Sequence, residues 1–337
     1  MINDFTYLDS RSVKEAIELR AKYPEDSTFV AGGTNLLYLM KRGVRKPKYL
    51  INIKSISGLD SVRFDAEGLT IGSLVRLDKL QYSEVVNTHY PMIAQSVGKI
   101  ASPQIRNVAT VGGNLSQEVW CWYLTEGFDC WMNGGRHCFA PEGDNRYHHS
   151  VAGGFICQAI HPSDLAPTLY ALDARVNVAG PNNERKMGID ELLPGFTKVE
   201  GKLKQNILKS DELIVSVHVP VPASGSRSIF LKYAARESFD FSLASVALNV
   251  TFEGETIKDL RAVLGGVATK PLRASNVETT LKGKRASLEL LQKASENVFD
   301  KELPLSMNSY RIRLTRELVR RALFEVCGLE QSTLIRR

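Results

Sequence analysis

The 337-residue sequence contains no run of about 18 apolar residues, which excludes a membrane-spanning helix on length alone. Its first residues, MINDFTYLDSRSVKEA, show no charged n-region with an apolar h-region and no twin arginine. Synthesis in the cytoplasm is therefore the expectation, with export as the passenger of a signal-bearing partner as the alternative. No concentrated basic stripe is present: 43 basic residues are interspersed with 37 acidic ones, for a net charge of +6. That pattern argues against nucleic-acid binding and suits partner docking or attraction of an anionic cofactor. There is no internal repeat and no low-complexity tract. Neither GxxxxGK followed by Ser or Thr nor GxGxxG occurs, so P-loop and Rossmann readings lack support. Among five cysteines there is no close C-x2-C pair.

What is present begins with ordinary bulk: 43% hydrophobic and 24% charged residues, enough for two or three domains with at least one sizeable core. Ser12 and Glu15 form a capping-box pattern ahead of the amphipathic run 13–23. STFVAGGTNLLYLMKRG reads as a strand, a glycine turn and a helix start; KYLINI and GLTIGSLV read as further strands, and 85–99 as a helix. From 113 to 161 regularity fails in a stretch holding all three tryptophans and four cysteines. So long an irregular segment is functional or disordered, and its aromatics argue against disorder. ALDARVNVAG restores a strand, and a turn-rich linker around Pro181 to Pro194 follows. ELIVSVHVP, SIFLKYAAR, FSLASVALNVTFEG and IKDLRAVLGGVA then read as strands of a second region. The last 60 residues read as helical, with Tyr310, Leu314, Leu318 and Ala322 on one face and arginines on the other.

Two turns pair glycines with Thr and Asn: VAGGTNLL (30–37) and NVATVGGNLS (107–116). Such turns suit close backbone approach to a diphosphate, because they expose N–H donors with no Cβ in the way. Each alone equally marks a tight turn with no ligand. Taken together, AGGTNLL, IRNVATVGGNL and HPSDLAPTLYALDA resemble the FAD-binding subunits and domains of the xanthine dehydrogenase and carbon monoxide dehydrogenase family, over essentially the whole chain. The resemblance implies an α+β fold. It comprises a two-subdomain FAD-binding domain of the vanillyl-alcohol oxidase/PCMH-like type, a four-cysteine loop insertion, and a C-terminal α+β domain of the CO dehydrogenase flavoprotein type. The implied divisions are 1–60, 61–185 with the insertion at 115–160, and 190–330. Carried over position by position, Val30, Ala31, Gly32, Gly33, Thr34, Asn35 and Leu36 match the loop around the FAD diphosphate. Ala101, Ala109, Thr110, Gly113 and Asn114 match a second FAD-contacting stretch, and Asp164 a cofactor-binding acid. Ile214 and Lys232 match positions reaching the flavin ring region. His161 fits either a cofactor or cluster contact or a structural turn histidine.

The GGN turn and the SD segment are separated by roughly fifty residues containing Cys121-x8-Cys130-x7-Cys138-x18-Cys157. Four thiolates are the ligand set of a 4Fe-4S cluster. Structural zinc, two disulfides and coincidental burial are the other readings of the spacing. Cys327, alone on a C-terminal helix, reads as a small buried hydrophobe. The resemblance extends to relatives with iron–sulfur insertions here, the FAD subunits of periplasmic-type bacterial aldehyde oxidoreductases and of 4-hydroxybenzoyl-CoA reductase. The gaps are more similar to the aldehyde oxidoreductase pattern.

No molybdopterin pocket and no C-x4-C-x2-C motif for 2Fe-2S clusters are identified, and no catalytic acid, base or nucleophile is evident. By resemblance, substrate chemistry belongs to a large molybdenum-cofactor subunit, and a small subunit carries 2Fe-2S clusters. A dimer of such heterotrimers is the assembly this leaves open. The implied role is electron transfer between those clusters, FAD and an external acceptor, with aldehydes favoured as substrate and a 4-hydroxybenzoyl-CoA reductase β subunit as the alternative. A self-contained flavin oxidase and a zinc-stabilised interaction protein are the rival readings.

Overall fold

The computed structural model describes residues 2–329. Its first sheet is parallel and three-stranded, β1 (Thr6–Asp9), β3 (Tyr49–Asn52) and β2 (Ser27–Val30) in that order. Parallel strands need a crossover, and the helix Val13–Lys22 supplies it; the Ser12 hydroxyl accepts from Glu15 N at 3.1 Å to cap that helix. The crossover buries Ala16 and Ile17 against Ile51 of β3.

A second, antiparallel sheet contains β4 (Val62–Asp65), β5 (Gly68–Gly72), β6 (Arg175–Ala179) and β7 (Glu184–Gly188). Two short strands, β8 (Thr197–Val199) and β9 (Lys202–Lys204), pair separately, and the chain then returns as β10 (Leu213–Pro220) to fill the sheet's centre, between β5 and β6. The segment ELIVSVHVP was expected in the C-terminal region, and the linker around 181–194 was expected to be irregular; both expectations are corrected here. Local pattern identifies a strand but not its partner. The alternating burial of Val217 and Val219, both 0% exposed, is satisfied only by the core under this sheet. The helix expected over 85–99 is two helices, Glu84–His89 and Pro91–Gly98, because proline has no N–H to continue the first and is suited to start the second.

The C-terminal unit is an antiparallel sheet of β11 (Ser226–Tyr233), β12 (Ala244–Glu253), β13 (Thr256–Gly265) and β14 (Leu272–Arg273), with β15 (Lys284–Arg285) also on β13. Three helices, Ser275–Leu281, Leu288–Glu296 and Tyr310–Cys327, cover one face of it. Residue 330, the expected end of this unit, lies outside the described residues. No helix among the described residues is long and apolar enough to cross a membrane.

The final helix is rotated relative to its expected face. Tyr310 is 44% exposed, whereas Arg311 is 0% exposed and Ile312, Thr315, Leu318, Val319, Ala322 and Leu323 are buried. Among the described residues Arg311 has no carboxylate partner. Its guanidinium donates to the carbonyls of Leu243 (2.9 and 2.8 Å), His149 (2.5 Å) and Gly266, so it joins the C-terminal sheet to the irregular 113–161 stretch. Burial pulls its pKa down to about 10, which leaves it charged at neutral pH. The Arg311→Met variant orphans these acceptors at roughly 1–3 kcal/mol each. A clear fall in the urea midpoint is therefore expected, while exposed Arg313→Met stays within about 0.5 kcal/mol of the unmodified chain. Equal midpoints for the two variants would show that the clamp contributes nothing.

Candidate functional site

All three units meet at a cleft of about 1370 Å³, larger than the roughly 300–1,000 Å³ of an ordinary small-molecule pocket. The turn after β2 lies on one side and the second glycine turn on the other. They touch through bare backbone: a Cβ on Gly32 would sit 2.2 Å from Val108 O, so only glycine permits the approach. The backbone N–H groups of Gly32, Gly33, Thr34 and Asn35 find no acceptor among the described residues, and all four residues line the cleft. Thr110 caps the helix Val111–Ser116, its hydroxyl accepting from Gly113 N at 3.2 Å. The Ser73 hydroxyl on the same wall is buried without a partner among the described residues.

Of the expected cofactor contacts, Val30, Ala31, Gly32, Gly33, Thr34, Asn35, Leu36, Ala101, Ala109, Thr110, Gly113, Asn114, Asp164 and Ile214 all line this one cleft. Lys232 does not. Its ammonium is buried in an ion pair with Asp164 at 2.7 Å and donates to the carbonyls of Lys99 and Asp240, each at 2.8 Å. The same pair ties β11 to the start of the helix Leu165–Ala171, whose Asp164 lines the cleft. The other Asp164 oxygen accepts from Ser242 at 2.5 Å, and Ser163 donates to Asn114 at 2.6 Å, linking the HPSD segment to the second glycine turn. His161 is a structural histidine: it is buried, its Nδ1 accepts from Ser163 N at 3.4 Å, and burial pulls its pKa down to about 3.

Strain gathers at the cleft mouth. Ala101 (φ +45°) and Phe239 (φ +76°) are non-glycine residues in the left-handed region, and Phe239 N donates to Ala101 O at 3.0 Å. Each costs about 1–3 kcal/mol, held in place by the surrounding structure. Nothing in the local sequence signals either.

Beyond the helix Val111–Ser116, the irregular stretch holds a short helix, Trp122–Thr125, and one 3₁₀ turn, Trp131–Asn133. Cys121, Cys130, Cys138 and Cys157 nonetheless line one small cavity with Tyr123, Phe139 and His149. Val119, Trp131 and Met132 belong to the walls of both this cavity and the large cleft, so a single layer of side chains separates them. The adjacent histidines part company: His148 lines the cleft, while His149 lines the thiol cavity. Arg45 pins the shared wall by a two-pronged pair with Glu118 and a bond to Met132 O at 3.2 Å. Burial pushes the Cys121 thiol up to about 12 and raises Cys130. Cys138 and Cys157 share a hydrogen bond, which lowers the first and raises the second. No three His, Cys, Asp or Glu side chains among the described residues meet in an arrangement that holds one metal ion. Of the tryptophans, only Trp131 borders the thiols; Trp120 lines the cleft between Tyr38 and Phe241, and Trp122 packs edge-on to Tyr147 and His148. Cys327 lies apart at the end of the final helix, its thiol pushed up to about 11 by burial.

Residues 3–222 match the family described as the FAD binding domain in molybdopterin dehydrogenase, and 229–326 match the CO dehydrogenase flavoprotein C-terminal domain. The division falls just after β10. The chain is 34% identical to the FAD-binding subunit of an aldehyde oxidoreductase of Escherichia coli K12, covering 95% of this chain and 98% of that one. It is 25% identical to the medium chain of glyceraldehyde dehydrogenase of Sulfolobus acidocaldarius, covering 96% and 98%. Among solved structures it superimposes on a carbon monoxide dehydrogenase chain of Hydrogenophaga pseudoflava with a TM-score of 0.76 at 25% identity, covering 98% and 99%.

Two outcomes follow from the buried polar groups. Lys232→Met strands the Asp164 carboxylate, itself 5% exposed, and is expected to cost about 3–5 kcal/mol; adding Asp164→Asn should restore most of the thermal midpoint. A single variant as stable as the unmodified chain would refute this. His161 gives a pH signature. Below pH 6.5 the unfolded chain takes up a proton that the folded chain refuses until about pH 3, so stability falls across that interval. Changing His161 to Gln should flatten the acid limb of a stability–pH curve by up to ~1.4 kcal/mol per pH unit; an unchanged limb would count against it.

Proposed function

The chain belongs to the FAD-binding medium subunits of the xanthine and CO dehydrogenase family of molybdenum hydroxylases, and from that premise we propose that it carries FAD and a 4Fe-4S cluster as the electron-transferring subunit of an aldehyde-oxidising complex. Its relatives are subunits of oxidoreductases, and FAD binding is a property of the family. FAD supplies chemistry that moves electrons singly or as a hydride. The cleft fits such a dinucleotide by its size, its four unpaired backbone donors and the orphaned Ser73 hydroxyl. In this reading the 30–36 and 109–114 turns grip the diphosphate, Ala101 and Ile214 border the ring system, and Asp164 with Lys232 holds the wall rather than the ligand.

One observation carries the iron–sulfur reading: four thiols border a single buried cavity that shares a wall with the cleft. One zinc ion would need all four sulfurs about 2.3 Å from one point. A cluster distributes its thiolates over separate irons, which suits sulfurs arranged around a rim. Raised thiol pKa values are no obstacle, since bound metal deprotonates its ligands and returns that binding energy as folding energy. The substrate class rests on the cysteine spacing and on two relatives whose names are those of aldehyde-oxidising enzymes. The chain's relatives are subunits of larger enzymes, which supports assigning the oxidation itself to a large molybdenum subunit. A small subunit with 2Fe-2S clusters is the source of the electrons delivered here.

Iron and acid-labile sulfide in the purified protein test this directly. Cys130→Ser should lose the iron and loosen the 113–161 stretch, while Cys327→Ser keeps it. Zinc in place of iron, or equal iron in both variants, would overturn the cluster reading while leaving FAD binding intact.

A further inference from the structure

The thiol cavity holds three side chains with polar atoms beside its sulfurs and tryptophan, and two of them point elsewhere. Tyr123 gives its hydroxyl proton to Asp144 O at 3.2 Å, and His137 Nε2 turns to Glu142 at 3.7 Å, with its side chain about half exposed. His149 is different. It is 1% exposed, and its Nε2 lies 3.3 Å from Cys121 Sγ.

The position of that ring is enforced from outside the cavity. The His149 carbonyl accepts from Arg311 at 2.5 Å and from Asn308 Nδ2 at 3.2 Å, and the same amide nitrogen donates to Ser150 O at 3.1 Å. Asn308 is itself fixed, its Oδ1 accepting from Leu305 N at 2.8 Å. A bridge between His149 and Ala159 ties the backbone to the segment that delivers Cys157. Two residues at the start of the final helix therefore set where the imidazole stands.

We propose that His149 donates its Nε2 proton to the sulfur of Cys121 when that sulfur is bound to iron, and thereby raises the reduction potential of the cluster. This rests on the reading of the four cysteines as cluster ligands. An iron-bound thiolate has no proton and can only accept, so at this contact the ring nitrogen is the donor. The other tautomer would set two acceptors, the ring nitrogen and the bound sulfur, against each other. Hydrogen bonds to cluster sulfurs stabilise the more negative, reduced form, and partners of metal ligands tune the centre they surround. His149 is a positioning residue in this scheme.

The test uses the holoprotein with His149→Leu, which removes the donor at similar volume, and His149→Gln, which can return one. Iron and sulfide are measured first. With both variants loaded, a redox titration read by electron paramagnetic resonance should show the ratio of reduced to oxidised cluster in His149→Leu falling roughly tenfold at the potential that half-reduces the unmodified protein, equivalent to about 59 mV for one electron. His149→Gln should lie between the two. In unmodified protein carrying ¹⁵N-histidine, the reduced cluster should show coupling to one nitrogen. A loaded His149→Leu with unmodified potential overturns the proposal, as does a labelled protein without that coupling. Should His149→Leu lose its iron, the labelled unmodified protein decides alone. Absence of iron and sulfide from the unmodified chain would instead remove the cluster assignment, an outcome the metal analysis separates before any titration.

Discussion

A buried cation held by backbone carbonyls sits where the parts of this molecule meet. Arg311 is fully buried and is held by backbone carbonyls from the β11–β12 connection, the β13 turn and the insertion. A guanidinium offers five donors in a rigid plane, which allows one side chain to satisfy acceptors from three segments that share no ladder. The insertion needs such an external hold because its own regular structure is limited to one short helix, one 3₁₀ turn and isolated bridges. Its interior is equally thin, a cluster of Val119, Cys121, Leu124, Cys130, Cys157 and Ala159.

From that hold the two cavities take their relation. The final helix fixes His149; His148 and His149 line different cavities; and Arg45 with Glu118 fixes Met132 in the common wall. The cleft is framed by turns from the first two units and closed by the strained Ala101–Phe239 contact with the third. A buried ion pair, Lys232 with Asp164, ties the third unit to the second. In such a site the protein's own work is placement, supplied by buried ties between the units.

Much of this was legible locally. The Ser12 cap, the strand–glycine–helix turn at 27–41 and the second turn at 107–116 follow from propensities and spacing that act within a few residues. The four cysteines drew attention through an irregular stretch too long and too aromatic to be idle, and two adjacent histidines lay within it. Less legible was partnership. ELIVSVHVP read as a strand of the wrong unit and Arg311 as one more surface arginine, and nothing local announced the pairing of Lys232 with Asp164.

By itself, then, the sequence determined which short segments become strands, turns and capped helices, and which residues have the chemistry to hold a dinucleotide or a metal cluster. Those properties are set by covalent structure and nearest neighbours along the chain. Only the tertiary structure decided that β10 crosses the second sheet, that one arginine is buried without a carboxylate, and that the thiols lie one side chain from the cleft. Each of these joins residues scores of positions apart, and their relative placement is settled by which apolar faces are buried together and which carbonyls then need a donor.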